Sequence, residues 1–421
     1  MANPAHAART VDVAIVGGGI VGLATAYHLT RQGATVAVFE KGDLAGEQSS
    51  RNWGWVRTLL RDLPEVPLAV RATTLWRELQ AQTDVGFRES GIVYLARDQA
   101  QLQAQSSWLA SSGFRGARML GADATRALLP PSPVQWQGSL YSPTDAVAEP
   151  ALATAAIARL ATAQGCQVFE RTAVRGICRD GERVTGLQTE HGDVHAGQVL
   201  VAGGAWSRLI CGNLGVELPQ LKVRASVLRA SSPASQLDLT VNGGDFTCRR
   251  GADGHYVVSQ FNASYADIVP DSFRLLRQYL PTWLANKALV RLRLGPEFMR
   301  ELRMPRRFGG DAPTPYEQHR ALDPTPARRT PLALQKLTAA FPSFADARIL
   351  KMWSGYIDVM PDAMPVIEAV ANRPGLFVAT GFSGHGFGIA PAVGEAMAQL
   401  MAGQTPAIDL APFRLSRFYG A

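Results

Sequence analysis

Three consecutive stretches near the start of the chain carry the clearest patterning. Val11 to Val16 is an apolar run that ends in glycines, and Thr35 to Phe39 is a second that ends on Glu40. Between them, Ile20 to Arg31 places Val21, Ala24, Tyr27 and His28 at helical spacing, so strand, tight turn, helix and strand are predicted in that order. A helix is predicted around Leu68 to Gln82 and a strand at Ile92 to Ala96, followed by the turn Pro130-Pro131-Ser132-Pro133. Another helix runs from Pro150 to Gln164, opened by Glu149-Pro150 and stopped by Gly165. Short strands follow near Cys166 to Phe169, Val184 to Thr189 and Gln198 to Ala202.

From Leu218 to Phe308, strand-like segments such as Lys222 to Leu228 and His255 to Ser259 alternate with one helix at Ser272 to Trp283. Phe308 to Thr330 turns to Pro, Gly, Asp and Arg and reads as an extended loop. The end of the chain returns to the style of its beginning, with a strand at Leu376 to Ala379, glycines, and a helix from Pro391 to Met401. No internal repeat is present. The pattern predicts an α/β protein. A discontinuous Rossmann-like nucleotide-binding domain takes residues 1–90, 146–217 and 345–421. An inserted α+β substrate domain with a mostly antiparallel sheet takes 91–145 and 218–344. The 421-residue length agrees, since one core usually stops growing below that size.

Composition removes several function classes. The formal net charge is +7, but basic residues are scattered and cluster only as pairs such as Arg249-Arg250, Arg306-Arg307 and Arg328-Arg329. No basic block of the kind that neutralises a phosphate backbone exists, so no nucleic-acid partner is expected. A mildly positive field attracting a carboxylate substrate is the expected consequence. Cys166, Cys178, Cys211 and Cys248 form no CxxC and show no metal-ligand spacing, which predicts reduced thiols and no metal site. Met1 to Thr10 is too short and polar for a signal peptide, and no run approaches about 20 apolar residues. A cytoplasmic protein without an integral membrane segment is expected, with peripheral membrane contact left open.

Gly17-x-Gly19-x-x-Gly22 lies between a predicted strand and a predicted helix. Its first glycine permits the turn, the second lets backbone approach a pyrophosphate, and the third lets helix and strand pack closely. Ile20 and Val21 open a helix whose free N–H groups face the phosphates. Glu40, followed by Lys41, ends the next strand where an acid accepts from ribose hydroxyls and disfavours a 2′-phosphate. Spacing alone leaves NAD and FAD both open.

Four further segments resemble the D-amino-acid oxidase superfamily of FAD enzymes, particularly its sarcosine oxidase and glycine oxidase branches. Ser49-Ser50-Arg51-Asn52-Trp53-Gly54-Trp55 is similar to the family's Ser/Gly-rich loop beside the pyrophosphate and flavin. Gly165 to Val174 resembles the strand whose valine, here Val174, contacts the adenine through its main chain. Val201-Ala202-Gly203-Gly204-Ala205-Trp206-Ser207 is similar to the A-x-G-A-W turn against the cofactor. Trp353-Ser354-Gly355-Tyr356 with Pro361-Asp362-Ala363-Met364-Pro365, and then Gly381-Phe382-Ser383-Gly384-His385-Gly386-Phe387-Gly388 with Pro391, match the C-terminal segments. The resemblance implies a glutathione-reductase-type FAD domain. Its final turn precedes a helix, whose N–H donors stabilise negative charge on the reduced flavin, with the main chain of His385 mattering more than its ring.

The departures also carry implications. The monomeric sarcosine oxidase branch attaches flavin through a cysteine near Trp353, where this chain has Gly355. No histidine occupies Ser49 to Arg57 either, so FAD is expected to be non-covalent. The lysine that the branch places after G-H-G-F, associated with oxygen reactivity, is Gly388. The acceptor is therefore left among O2, a quinone and an electron-transfer protein.

In these relatives an amine loses hydride from its α-carbon to flavin N5, and the imine hydrolyses. The resemblance thus implies oxidation of a D-amino acid, an N-methyl amino acid or a cyclic imino acid. A hydroxy-acid dehydrogenase and a non-catalytic flavoprotein subunit are the alternatives. A substrate carboxylate favours arginine. Arg57 is the leading candidate, with Arg224, Arg291 and Arg293 behind it, and Tyr256 and Tyr356 as roof or carboxylate-bonding residues. Trp53 and Trp55 are expected to wall an amine pocket or to pack at the domain seam.

Overall fold

The computed structural model describes residues 10–260, 264–286, 290–310, 312–320 and 323–419. The leader before Thr10 lies outside them. The apolar runs at the start of the chain become the centre of a parallel sheet. Its strands follow the order Val366–Ala369, Leu376–Thr380, Gly192–Val201, Thr10–Val16, Val36–Phe39 and Gln167–Phe169. Ile15 stands between Leu200 and Val38 in register, and all three are fully buried. Such continuous apolar runs suit strands covered on both faces. Val366–Ala369 joins the edge antiparallel, and Val174–Asp180 and Arg183–Thr189 form an antiparallel extension beside Gly192–Val201.

The helix Ile20–Arg31 is buried along nearly its whole length, because the helices Val66–Gln82, Pro150–Ala163 and Gly386–Met401 share its core. Gly394 makes the closest crossing. A Cβ there would fall 2.6 Å from the carbonyl carbon of Ala24, so backbone meets backbone. The last helix begins at Gly386, earlier than the expected start at Pro391. A proline reads as a helix start because its missing N–H is harmless there. Here Pro391 sits inside the helix and withholds one N–H.

The second sheet runs Val290–Arg293, Ser264–Asp267, Leu221–Ser231, Tyr256–Ser259, Thr247–Arg250, Thr240–Asn242, Ile92–Ala96, Gly138–Ser142 and Arg118–Gly121. Its described pairs are antiparallel apart from two: Thr240–Asn242 with Ile92–Ala96, and Ser264–Asp267 with Val290–Arg293. One face packs through Val93, Leu95 and Tyr256 on the helix Pro331–Ala340 and on Phe344 just beyond it. The other turns Ile92, Tyr94 and Leu140 towards Trp55 of the first domain. The strand Arg348–Val359, grouped by the sequence reading with the nucleotide-binding segments, pairs along its length with Leu221–Ser231 in this second sheet.

The helix expected at Ser272 to Trp283 is two, Pro270–Arg274 and Leu276–Asn286. A helix at Gln99–Ser112 had no apolar stripe to announce it, and it lies largely exposed, capped by Asp98. The described residues between Phe308 and Thr330 contain no helix or strand, as the composition predicts.

Candidate flavin site

Each loop glycine has a distinct constraint. Gly17 has φ +111°, and a Cβ would lie 2.5 Å from the Ala202 carbonyl oxygen. A Cβ on Gly22 would lie 2.3 Å from the Gly17 carbonyl oxygen. Gly19 meets only the Ser49 hydroxyl, at 3.1 Å, and its outer side is otherwise open. These are the demands of a turn that backbone must cross closely and a phosphate must approach. The Ile20 N–H donates to Ser49 Oγ at 2.9 Å, which holds the Ser/Gly loop over the helix start.

Gln48 and Asp358 lock three of the expected segments together. Gln48 Oε1 accepts from the Ala205 N–H at 2.9 Å, and its Nε2 donates to Asp358 at 2.8 Å. Asp358 also accepts from the Gly381 N–H at 2.8 Å and from Gln220 at 3.2 Å. Burial raises its pKa while these donors oppose the rise. Trp206 donates to Glu47 at 3.2 Å, and Gly203 turns the chain into that segment. Ser50 donates to the Glu47 carbonyl, and Asn52 donates to the Gln48 and Ser49 carbonyls and accepts from the Gly54 N–H at 2.8 Å. The sequence reading missed Gln48 and Asp358; they stand 310 positions apart, and no local spacing announces a partner at that range.

The C-terminal turn presents the helix Gly386–Met401 by its N-terminus, with His385 at the cap. Arg61, buried, donates to the His385 carbonyl at 3.1 Å and to Glu65 at 2.9 Å. Burial pushes the Glu65 carboxyl up, but Arg61 and His385 outweigh it and bring it down to about 2. Burial lowers the His385 pKa against the pull of Glu65, so the ring is held towards neutrality. Asp62, Glu65 and His385 bring ligand atoms within 4.8 Å of one another, but the Arg61 guanidinium already supplies the cation at Glu65. Gly388 is tight: a Cβ would lie 2.7 Å from the Trp55 carbonyl oxygen and 3.1 Å from Arg61 Nη2. Phe387 packs on Trp76, whose indole donates to the Gly388 carbonyl at 2.8 Å.

The second sheet roofs this turn. Tyr94, Asn242, Thr247 and Ser259 follow one another across paired strands and therefore share a face. Arg249, two residues beyond Thr247, reaches from that face to the Trp53 carbonyl and forks onto Glu149 at 2.7 and 3.1 Å. Trp53 and Trp55 meet edge to face at 5.5 Å, and Trp55 meets Tyr94 at 6.2 Å. Arg57 is half-buried beside them and spends one donor on the Leu59 carbonyl at 2.5 Å. No ion pair engages Arg57 among the described residues, and its charge is felt at Tyr94, Asp145 and His385.

The two tyrosines are corrected by strand alternation. Tyr256 points to the opposite face, fully buried on Phe344 with its hydroxyl on the Ser235 carbonyl at 3.0 Å, and is a core residue. Tyr356 alternates with Gly355 and Ile357. Ile357 is the side chain facing Gly384, whereas Tyr356 lies beside Arg224 with Lys222 over its ring at 5.7 Å. Arg224 in turn lies over Tyr265 on that far face, with Arg291 and Arg293 on the neighbouring edge strand. None of these three arginines joins Arg57.

At the far end of the glycine loop, Glu40 accepts from the Gly18 and Gly42 N–H groups at 2.9 and 2.8 Å. Burial raises its pKa. Lys41 pairs with Glu47 at 2.5 Å and donates to the His319 and Arg320 carbonyls, each at 3.1 Å. Arg320 returns a bond to the Lys41 carbonyl at 2.9 Å and pairs with Glu190 at 2.5 Å. Tyr316 donates to the Val174 carbonyl, so this part of the linking segment straps the strand expected to meet adenine.

These residues fit FAD. The glycine loop offers an open phosphate approach with an acid behind it, and the Gln48–Asp358 lock ties the Ser/Gly loop to the Gly381 turn that leads into the helix Gly386–Met401. Gly355 abuts Arg51, whose guanidinium donates to the Ser354 carbonyl at 3.0 Å. The four cysteines are free and none belongs to this site, and burial pushes the Cys166 and Cys211 thiols up to about 12.

A discontinuous Rossmann-like domain with an inserted antiparallel-sheet domain, meeting at two glycine turns, defines a flavin-dependent redox architecture. The family described as FAD dependent oxidoreductase matches residues 12–400, and the chain belongs to it. It is 27% identical to the sarcosine oxidase subunit beta of Arthrobacter, over 99% of this chain and 93% of that one. It is equally 27% identical to the glycine oxidase of Pseudomonas aeruginosa, over 95% and 97%. Its structure is similar to that of L-amino acid deaminase from Proteus myxofaciens in complex with anthranilate. There the TM-score is 0.93 at 29% identity, covering 97% of this chain and 94% of that one.

Proposed function

We propose that this chain oxidises a carboxylate-bearing amino acid or secondary amine using non-covalent FAD. The carrying observation is Arg57: half-buried, without an ion pair among the described residues, beside Tyr94 and the His385 turn. An arginine left with free donors there suits a planar carboxylate. FAD, when bound, supplies the acceptor for hydride from the substrate carbon, and the imine so formed hydrolyses. Trp53, Trp55 and Tyr94 wall the substrate and keep water out, and the Gly386 helix terminus offsets negative charge on the cofactor. Similarity to a deaminase that holds an aromatic carboxylate, and to sarcosine and glycine oxidases, supports the reading. Gly388 leaves no room for the lysine associated with oxygen, so a quinone or electron-transfer protein stands beside O2 as acceptor. We place the enzyme in the cytoplasm on its unpaired cysteines.

The test is an anaerobic panel of D- and L-amino acids, N-methyl amino acids and cyclic imino acids, each scored by bleaching of the flavin band. At least one should bleach it. Bleaching by hydroxy acids alone would replace the reading with C–OH oxidation, and no bleaching without a partner chain would favour a non-catalytic subunit. Repeating the active case with O2 and then a quinone identifies the acceptor. Denaturation should release the yellow colour into the filtrate, because neither Gly355 nor the Ser49–Arg57 loop offers an attachment atom.

A further inference from the structure

Arg61 carries its charge where both surroundings oppose it. Its side chain is 1% exposed, and it lies against the N-terminus of the helix Gly386–Met401, an end that is itself partly positive. Burial works against the guanidinium charge, and Glu65, 0% exposed, is the anion that sustains it. A buried ion pair adds little stability over well-packed apolar side chains, so this one calls for another reason. Arg61 spends every arm on a fixed partner. Nη1 donates to Glu65 at 2.9 Å, Nε to the Arg57 carbonyl at 2.8 Å and Nη2 to the His385 carbonyl at 3.1 Å. The segment beneath it is pinned as well. The Arg61 carbonyl accepts from the Trp108 indole at 2.7 Å, and Asp145 accepts from the Thr58 and Leu59 N–H groups at 2.9 and 3.0 Å.

The His385 carbonyl belongs to the same peptide unit as the Gly386 N–H. That unit is trans, so its C=O and N–H point in opposite directions. Holding the carbonyl towards Arg61 therefore aims the Gly386 N–H away from Arg61, out of the helix end. No side chain caps that end, and no described residue accepts from the Gly386 N–H. Glycine on one side of the unit leaves its rotation weakly restrained by sterics, so the aim depends on the hold. We infer that Arg61 is a positioning residue, fixing the His385–Gly386 peptide so that the Gly386 N–H is presented to the flavin while Glu65 balances the guanidinium. A donor aimed in advance at developing charge costs no reorganisation when the flavin is reduced. The same side chain ties that donor to the backbone of Arg57, so cofactor and substrate contacts keep one spacing. The inference rests on the reading of a flavin at this turn.

The experiment uses the full FAD-loaded chain with sulfite as the probe. Sulfite adds to flavin N5 and leaves negative charge on the N1–C2=O edge. Its affinity, read by bleaching of the flavin band, therefore reports donors aimed there. Arg61→Met/Glu65→Leu removes both charges together and leaves no orphaned ion, so the chain should fold and keep FAD. Its sulfite Kd is expected to rise about tenfold or more, and its flavin midpoint potential to fall. Glu65→Gln keeps the hold on His385 but unbalances the guanidinium, so sulfite should bind several-fold more tightly and the potential should rise. General damage to the site would not shift the two variants in opposite directions. Equal sulfite affinity in parent and double variant, or shifts of one sign in both variants, overturns the inference and leaves the flavin reading standing. A parent that holds FAD yet forms no adduct overturns it too. A parent that takes up no FAD overturns both.

Discussion

At the scale of single residues, the site is governed by the space left for side chains. Gly388 is the clearest case, with the Trp55 carbonyl and Arg61 both inside the volume a methyl group would take. Gly388→Ala is expected to destabilise the fold by about 1–3 kcal/mol, the range of overpacking in a packed site, and urea unfolding would measure it. A variant as stable as the parent would contradict the contact. Gly17, Gly19 and Gly22 were legible in the sequence through their spacing between strand and helix, although only Gly22 answers to a local neighbour, the Gly17 carbonyl, while Gly17 answers to Ala202 and Gly19 to Ser49. Arg57 was legible as a candidate from its place after the Ser/Gly loop. Arg249, by contrast, finds Glu149 a hundred positions away, and nothing in its own surroundings marks it out from other arginines. Tyr256 and Tyr356 misled for a related reason, since a strand offers both faces to consecutive residues and composition does not say which face is the pocket.

Among elements, the pairing of the strand Arg348–Val359 is instructive. Arg348–Val359 is a strand of mixed apolar and polar residues, and such a strand carries no label for its partner. Its register against Leu221–Ser231 depends on two segments more than a hundred residues apart. The Phe308–Thr330 loop was legible as a loop, but its work was not. Through Tyr316, Glu317 and Arg320 it clasps Val174, Arg175, Glu190 and Lys41. The Arg320–Glu190 pair is partly solvated, so it alone contributes less than about 1 kcal/mol, whereas Arg175–Glu317 is the more buried of the two. Removing both with Arg175→Ala/Arg320→Ala should speed FAD dissociation by about tenfold, followed as recovery of free-flavin fluorescence after dilution. An unchanged off-rate would separate the strap from cofactor retention.

For the whole molecule, the joint between the first and last helices sets the response to acid. His28, on Ile20–Arg31, is buried against Gly386–Met401, and burial lowers its pKa to about 4 although Glu395 opposes the shift. The unfolded chain takes up this proton near 6.5, the folded chain only near 4. Stability from the neutral ring is thus complete above the unfolded value and is lost as pH falls from 6.5 towards 4. Between about pH 7 and pH 5 the loss is roughly 2 kcal/mol, and His28→Gln should remove that part of the slope in urea midpoints. An identical slope in the variant would assign the acid sensitivity elsewhere.

The crossing of Gly394 on Ala24 also fixes an order of events during synthesis. The glycine loop leaves the ribosome early, and Val66–Gln82 and Pro150–Ala163 follow to cover part of its helix, yet the helix lacks its third cover, Gly386–Met401, and its sheet lacks Leu376–Thr380 until the end of the chain has emerged. A nascent chain stalled before Gly386 holds the glycine loop and most of both sheets but not the helix that crosses Ala24 and closes that loop's domain.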